Sequence, residues 1–151
     1  MEIGKVPVGG TQFLNGPKPV GFDVRFYADE EGRFSGTVTV DISKQGPPGH
    51  VHGGALATLL DEAMGGAAWY KGHRVLAVNL DISFKRAVPL DTEILITGEV
   101  VRVEGHKVFA AGKITLPDGT IAVEGKGVFV EAPQYVGNDN QNPFAKLRSE
   151  S

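Results

Sequence analysis

Apolar side chains in this chain repeat with two different periods, and the switch between them outlines its architecture. Most of the sequence alternates with period two. Phe22, Val24 and Phe26 stand against Asp23, Arg25 and Tyr27, while Phe34, Val38, Val40 and Ile42 share one parity. The stretches 22–28 and 33–42 therefore read as a hairpin closed by Asp29-Glu30-Glu31-Gly32. Four more strands, 75–84, 92–103, 107–116 and 121–130, are joined at 87–91, at Glu104-Gly105 and at Pro117-Asp118-Gly119, links short enough to predict an antiparallel four-strand meander.

Only the stretch 50–70 carries the period of a helix. Leu56, Leu59, Leu60, Ala63, Ala67 and Tyr70 fall on one side and need a sheet to cover them. The opposite side holds Gly54, Ala57, Thr58, Gly65 and Ala68, interrupted by one carboxylate, Asp61. Side chains that small let a ligand, or a second copy of the helix, approach the backbone. Glu62 lies about 100° further round, toward Ala55 and Trp69, and is expected to face solvent or an interface. Gln45-Gly46-Pro47-Pro48-Gly49 continues neither strand nor helix and delivers the chain to the helix N-terminus. Lys71-Gly72-His73-Arg74 ends the helix with a glycine and positive charge.

The pattern is that of an α+β domain, one long central helix wrapped by a curved antiparallel sheet of about six strands. At 151 residues the chain has room for one such domain, placed at 21–132. The breaker-rich stretch 1–20 is expected to be a locally packed loop, and the polar stretch 133–151 a flexible tail. The 21 Gly and nine Pro fit a sheet protein with many turns. Absence of cysteine removes thiolate catalysis and cysteine-bound metal, and permits a reducing compartment. A net charge of −3, with basic residues spread along the chain, argues against a nucleic-acid surface. No apolar run is long enough for membrane insertion, so a cytoplasmic location is expected. His50 and His52 lack a third metal ligand nearby, and no metal is expected.

Gly46-Pro47-Pro48-Gly49-His50-Val51-His52-Gly53-Gly54, followed by Asp61 nine residues after His52, resembles the hotdog-fold acyl-CoA thioesterases of the 4-hydroxybenzoyl-CoA and phenylacetate-pathway type. The resemblance covers roughly residues 20 to 131, with its specific part in 46–91. It implies hydrolysis of an acyl-CoA thioester to a carboxylic acid and CoA, with no cofactor beyond the coenzyme A of the substrate itself. It also implies a homodimer, and leaves open whether two dimers pair into a dimer of dimers.

These residues suit that chemistry physically. The Gly53 and Gly54 N–H groups at the helix N-terminus are expected to be unpaired donors for the oxyanion of a tetrahedral intermediate. Asp61 would activate water or attack the thioester itself. His52, the histidine of the resemblance, is expected to shape the turn into the helix, and His50 to line the entrance. Eight residues of helix separate Gly53 from Asp61 by about 12 Å, too far for one carbonyl to touch both. Two antiparallel helices across a two-fold axis would bring Gly53 of one chain opposite Asp61 of the other.

The acyl group is expected beside Ala57, Thr58, Gly65 and Met64. The resemblance implies a Ser or Thr on the first strand after the helix, where this chain has Ala77, with Asn79 expected on the same face as a substitute. It also implies an amide ahead of the His-Gly-Gly triplet, where Gly46 stands beside Gln45. Lys85 and Arg86 are candidates for the CoA phosphates, with Arg102 and Lys107 as additional charge. A hotdog module that binds acyl-CoA without turning it over is the alternative. A hydratase on the same fold would need its own His and Asp motif, which the sequence lacks.

Overall fold

A computed structural model describes residues 6–136. In chain order it holds β1 (Val6–Pro7), α1 (Gln12–Asn15), β2 (Tyr27–Ala28), β3 (Phe34–Thr39), a 3-10 turn (Ile42–Lys44), α2 (Gly53–Tyr70), β4 (Val75–Phe84), β5 (Glu93–Glu104), β6 (Lys107–Thr115), β7 (Ile121–Glu131) and α3 (Pro133–Val136). The strands form one antiparallel sheet in the order β1-β2-β3-β5-β6-β7-β4, and α2 lies against β3 to β7. A central helix wrapped by a curved antiparallel sheet is thus the observed architecture. Among the described residues it has seven strands where about six were expected, two of them dipeptides at one edge.

The meander is shorter than predicted. Only β5, β6 and β7 follow one another, and β4 pairs with β7 instead of β5. The link after β4 is not a tight turn. Lys85 and Arg86 still donate to Ala122, Val88 accepts from Val51, and Leu90 and Asp91 donate to Gly49 and Val40. Those bonds strap the link across the end of the sheet, beside the loop that leads into α2.

The expected first hairpin also shrinks. Tyr27 and Ala28 pair with Ser35 and Phe34, but Phe22 and Val24 donate to Leu14, and Asp23, at φ +56°, donates to Gly16. That fold-back onto the preceding segment replaces a ladder, although Phe22, Val24 and Phe26 are buried as the alternation implied. The described part of 1–20 accordingly carries β1 and α1 where a loop was expected. Ile42 leaves the strand parity for the 3-10 turn and is exposed, with Asp41 accepting from Ser43 N–H to start that turn. Residues 133–136 form α3, and the remainder of the expected tail lies outside the described residues.

The apolar side of α2 enters the core as read from sequence. Leu56, Leu59, Leu60, Ala63 and Ala67 are buried with Ile94, Ile96, Val108, Ile114, Val123 and Phe129, and Met64 joins them. Tyr70 packs edge-on against Phe34 at the end of the helix. What lets the helix lie so low is a row of glycines across the sheet. Gly98, Gly112 and Gly125 are paired in register on β5, β6 and β7, in strand interiors and not at turns. A methyl group on Gly98 would stand 2.5 Å from the Ala63 carbonyl carbon. Gly98→Ala is therefore expected to cost at least about 2 kcal/mol in urea unfolding, since helix backbone cannot retreat cheaply from a close-packed core. A variant as stable as the wild type would mean that α2 does not rest on β5 there.

Candidate active site

The N-terminus of α2 is built by its N-cap. His52 sits at φ −60°, ψ 133°, its N–H donates to Lys44, and its Nδ1 accepts from Gly54 N–H at 2.8 Å. That leaves the proton on Nε2. The ring thus shapes the start of the helix, and in doing so it removes one of the two donors expected there. Gly54 N–H is occupied, and Gly53 N–H has no acceptor among the described residues.

The loop before the cap satisfies itself. Gln45 Oε1 accepts from Gly49 N–H at 2.8 Å, and His50 Nδ1 lies 3.0 Å from the Pro48 carbonyl. Gly46 has no space for a side chain, because a Cβ there would stand 2.7 Å from His52 Cα. The resemblance implied an amide at this place; the neighbouring Gln45 amide has its oxygen committed to the Gly49 N–H within the loop. His50 backbone pairs with Pro89, which fixes this loop to the link after β4.

Asp61 is half-buried on the open side of α2, and the loss of water around it raises its carboxyl above the ordinary range. Ala57 and Thr58 share its half-buried surroundings, with Thr58 Oγ1 donating to the Gly54 carbonyl at 2.8 Å, whereas Gly65 turns toward the sheet, where a side chain would meet the Phe129 ring at 3.3 Å. Ala68, read on that side, and Met64, expected beside the acyl group, are both covered. Ala68 is fully buried because the chain folds back after α2, His73 N–H donating to Ala68 and Trp69 Nε1 to Val75. Met64, expected near the acyl group, is fully buried against the sheet.

Glu62 departs most from expectation. It packs under the N-terminal segment and accepts from Thr11 Oγ1 at 3.2 Å. Burial, reinforced by the charge of Asp61 and opposed by the Thr11 hydroxyl, pushes its carboxyl up to about 7. The unfolded chain releases that proton near the ordinary value of 4.5, so between about 4.5 and about 7 the folded state binds more protons than the unfolded one. Stability from this group therefore falls as pH rises through that window. Asp29, Asp41, Asp118 and Glu131 are held low by their hydrogen bonds and act in the opposite sense below it. Glu62→Gln is expected to gain stability over the wild type on going from about pH 5 to about pH 8 in urea melts. An unchanged difference between the two proteins would show that Glu62 is not desolvated.

Beside α2 runs β4, whose far edge pairs with no other strand among the described residues. Its alternation is broken by a bulge at Val78, between the pairs Ala77–Phe129 and Asn79–Val128. Directly paired residues share a face. Ala77 therefore faces α2 with Phe129, whereas Asn79 follows Val128 to the outer face along with Asp81 and Ser83. This overturns the expectation that Asn79 stands in for a hydroxyl at Ala77. Leu80, Ile82 and Phe84, opposite Gly127, Gly125 and Val123, return to the helix side. Leu80 and Phe84 are exposed there, Phe84 by 53%.

Lys85 and Arg86 follow Phe84 at the same end of the sheet as the start of α2. Lys85 pairs with Glu124 at 3.4 Å, and Arg86 donates to Thr120 Oγ1 at 3.1 Å near Asp118. Arg102 and Lys107 lie at the other end, by the β5–β6 turn, where Arg102 pairs with Glu104 and covers the Phe109 ring. Of these four cations, Lys85 and Arg86 are thus the two at the Gly53 end of the sheet.

Among the described residues no helix is long and apolar enough to cross a membrane. A family model described as the thioesterase superfamily matches residues 48–123, which contain the helix, the cap and β4 to β6. Acyl-coenzyme A thioesterase THEM4 of Xenopus laevis is 32% identical over 114 residues, covering 74% of this chain and 51% of its own length. A solved thioesterase superfamily protein is 38% identical with a TM-score of 0.71, covering 74% of this chain and 55% of its own. A hypothetical thioesterase from Streptococcus pneumoniae, solved with coenzyme A, has a TM-score of 0.68 at 23% identity, covering 72% of this chain and 85% of its own. The chain spans about half the length of the curated relative it matches.

Proposed function

This chain belongs to the thioesterase superfamily and has its hotdog fold, and from that premise we propose that it hydrolyses an acyl-CoA thioester to a carboxylic acid and CoA. One observation carries the reading. A free N–H at Gly53 and a half-buried carboxylate at Asp61 lie on one helix about 12 Å apart, on a side lined by small residues.

A two-fold pairing completes the site. The exposed edge of β4, with Leu76 and Val78 along it, is suited to pairing with its own copy, which would lay two α2 helices antiparallel. Gly53 N–H of one protomer then receives the thioester oxygen while Asp61 of the other faces the carbonyl carbon. Asp61 takes a proton from water as the water oxygen bonds to that carbon, or its own oxygen attacks first and water cleaves the resulting anhydride. In either route the oxyanion collapses and the C–S bond breaks. In the first the proton held by Asp61 passes to the departing sulfur, and in the second the thiolate leaves as the anhydride forms and is balanced by the proton released when water cleaves that anhydride. The dipole of α2 assists at the Gly53 end. Lys85 and Arg86 lie near enough to that end to meet CoA phosphates, exchanging their present partners for them. A cytoplasmic location belongs to the same proposal, and a chain without cysteine is compatible with that reducing compartment.

Release of free thiol from aromatic, medium-chain and long-chain acyl-CoA esters tests this directly. Hydrolysis of at least one class is the expected result. Tight acyl-CoA binding with no thiol released from any ester would favour the non-catalytic module, a reading that Ala77 and the empty place at Gly46 make coherent.

A further inference from the structure

Phe84 is a large apolar side chain, about half exposed, at the end of β4, and single exposed apolar residues are ordinary on protein surfaces. Its direction is what sets it apart. Pairing with the buried Val123 turns it to the helix side of the sheet, and its Cε1 and Cζ each stand 3.5 Å from where a side chain on Gly53 would begin. The ring therefore faces the first residue of α2 across a gap that a single methyl would fill, and that residue carries the N–H of the terminus left without an acceptor. The strand residues preceding it on this face, Leu80 and Ile82, are apolar too.

We propose that Phe84 is a positioning residue: its ring seats the thioester against the Gly53 N–H and keeps water off that donor. This rests on the thioesterase reading and names a group outside the Gly53–Asp61 pair. A hydrogen bond to a developing oxyanion is worth more where water is excluded, and a small misplacement of a reacting carbonyl lowers turnover steeply. Because the ring lies at the carbonyl end, its effect is common to every substrate, whatever the length of the acyl tail.

The test compares wild type, Phe84→Ala, Phe84→Leu and Phe84→Tyr as purified dimers on short, long and aromatic acyl-CoA esters. Phe84→Ala is expected to lose about 10- to 100-fold in kcat on all of them, with KM changed less than about threefold. Phe84→Tyr should restore most of the rate, and Phe84→Leu, which keeps apolar bulk without the flat ring, should fall between. A loss that grows with acyl length would make Phe84 part of the acyl channel and overturn the proposal. So would a weakened dimer with unchanged kcat. If the wild type hydrolyses none of the esters, the thioesterase reading itself fails, an outcome separable from a wild type that is active and a Phe84→Ala protein that is equally so.

Discussion

Asp61→Asn is expected to abolish most thiol release, at least about a hundredfold in kcat, in a protein that still folds and still dimerises. The size follows from the role, since a positioned base or carboxylate nucleophile contributes about 10²- to 10⁴-fold. Its separation from a folding defect follows from the environment. Water is already withheld from Asp61, which raises its pKa, and among the described residues it makes no hydrogen bond to another side chain. A neutral amide of the same shape removes the buried charge and breaks no ion pair, so thermal stability should hold or rise. Asp61 is useful in its ionised form, and the acid limb of the wild-type rate profile should lie above the usual aspartate range for the same reason. Equal activity in Asp61→Asn and wild type would remove Asp61 from the chemistry.

The second large effect concerns the N-terminus of the same helix. Gly53→Pro is expected to lower kcat by about 10²- to 10³-fold, the cost of deleting one oxyanion donor. Proline is well suited to this place. The first helical position is where its missing N–H disturbs no helical bond, and the residue before it, His52, already has the extended ψ of 133° that a following proline requires. The only nearby atoms around a new Cβ are those of Phe84, at an ordinary contact distance of 3.5 Å. Stability should therefore change by less than about 1 kcal/mol. Full activity in a folded Gly53→Pro protein would show that the donor lies elsewhere.

Those parts of the fold governed by local rules were legible in the sequence. The start of α2 follows from His52-Gly53-Gly54, its end from Gly72, and its buried side from the spacing of Leu56, Leu59, Leu60, Ala63 and Ala67. What the sequence hid was decided by pairing across the sheet. Link length suggested that β4 and β5 are neighbours, but a strapped crossover of similar length puts β4 beside β7. A bulge at Val78 has no signature of its own, yet it decides that Ala77 faces the helix and Asn79 does not. Gly98, Gly112 and Gly125 fall inside strands read from sequence, but only the register aligns them in one row beneath α2.

The site divides the same way. Helix periodicity separated Asp61 from the core face, and the cap explained His52. That the His52 ring would consume Gly54 N–H depended on a side-chain rotamer that no spacing encodes. Glu62 was misjudged because the segment that covers it, through Thr11, is distant in sequence and weakly patterned. One signal was available for Phe84: an aromatic at the end of the strand following the helix, two residues after Ile82 on the inward parity.

The shared site is the central claim, and a mixed dimer tests it most directly. Chains carrying Asp61→Asn and chains carrying Gly53→Pro, each with a different affinity tag, can be co-expressed and the heterodimer purified through both tags. The first chain keeps Gly53 and the second keeps Asp61, so a two-fold site leaves one intact active centre and one doubly disabled. The account predicts about half of the wild-type turnover per dimer, far above either homodimeric variant. A heterodimer no more active than its parents would contradict it, because each catalytic centre would then draw both groups from a single chain.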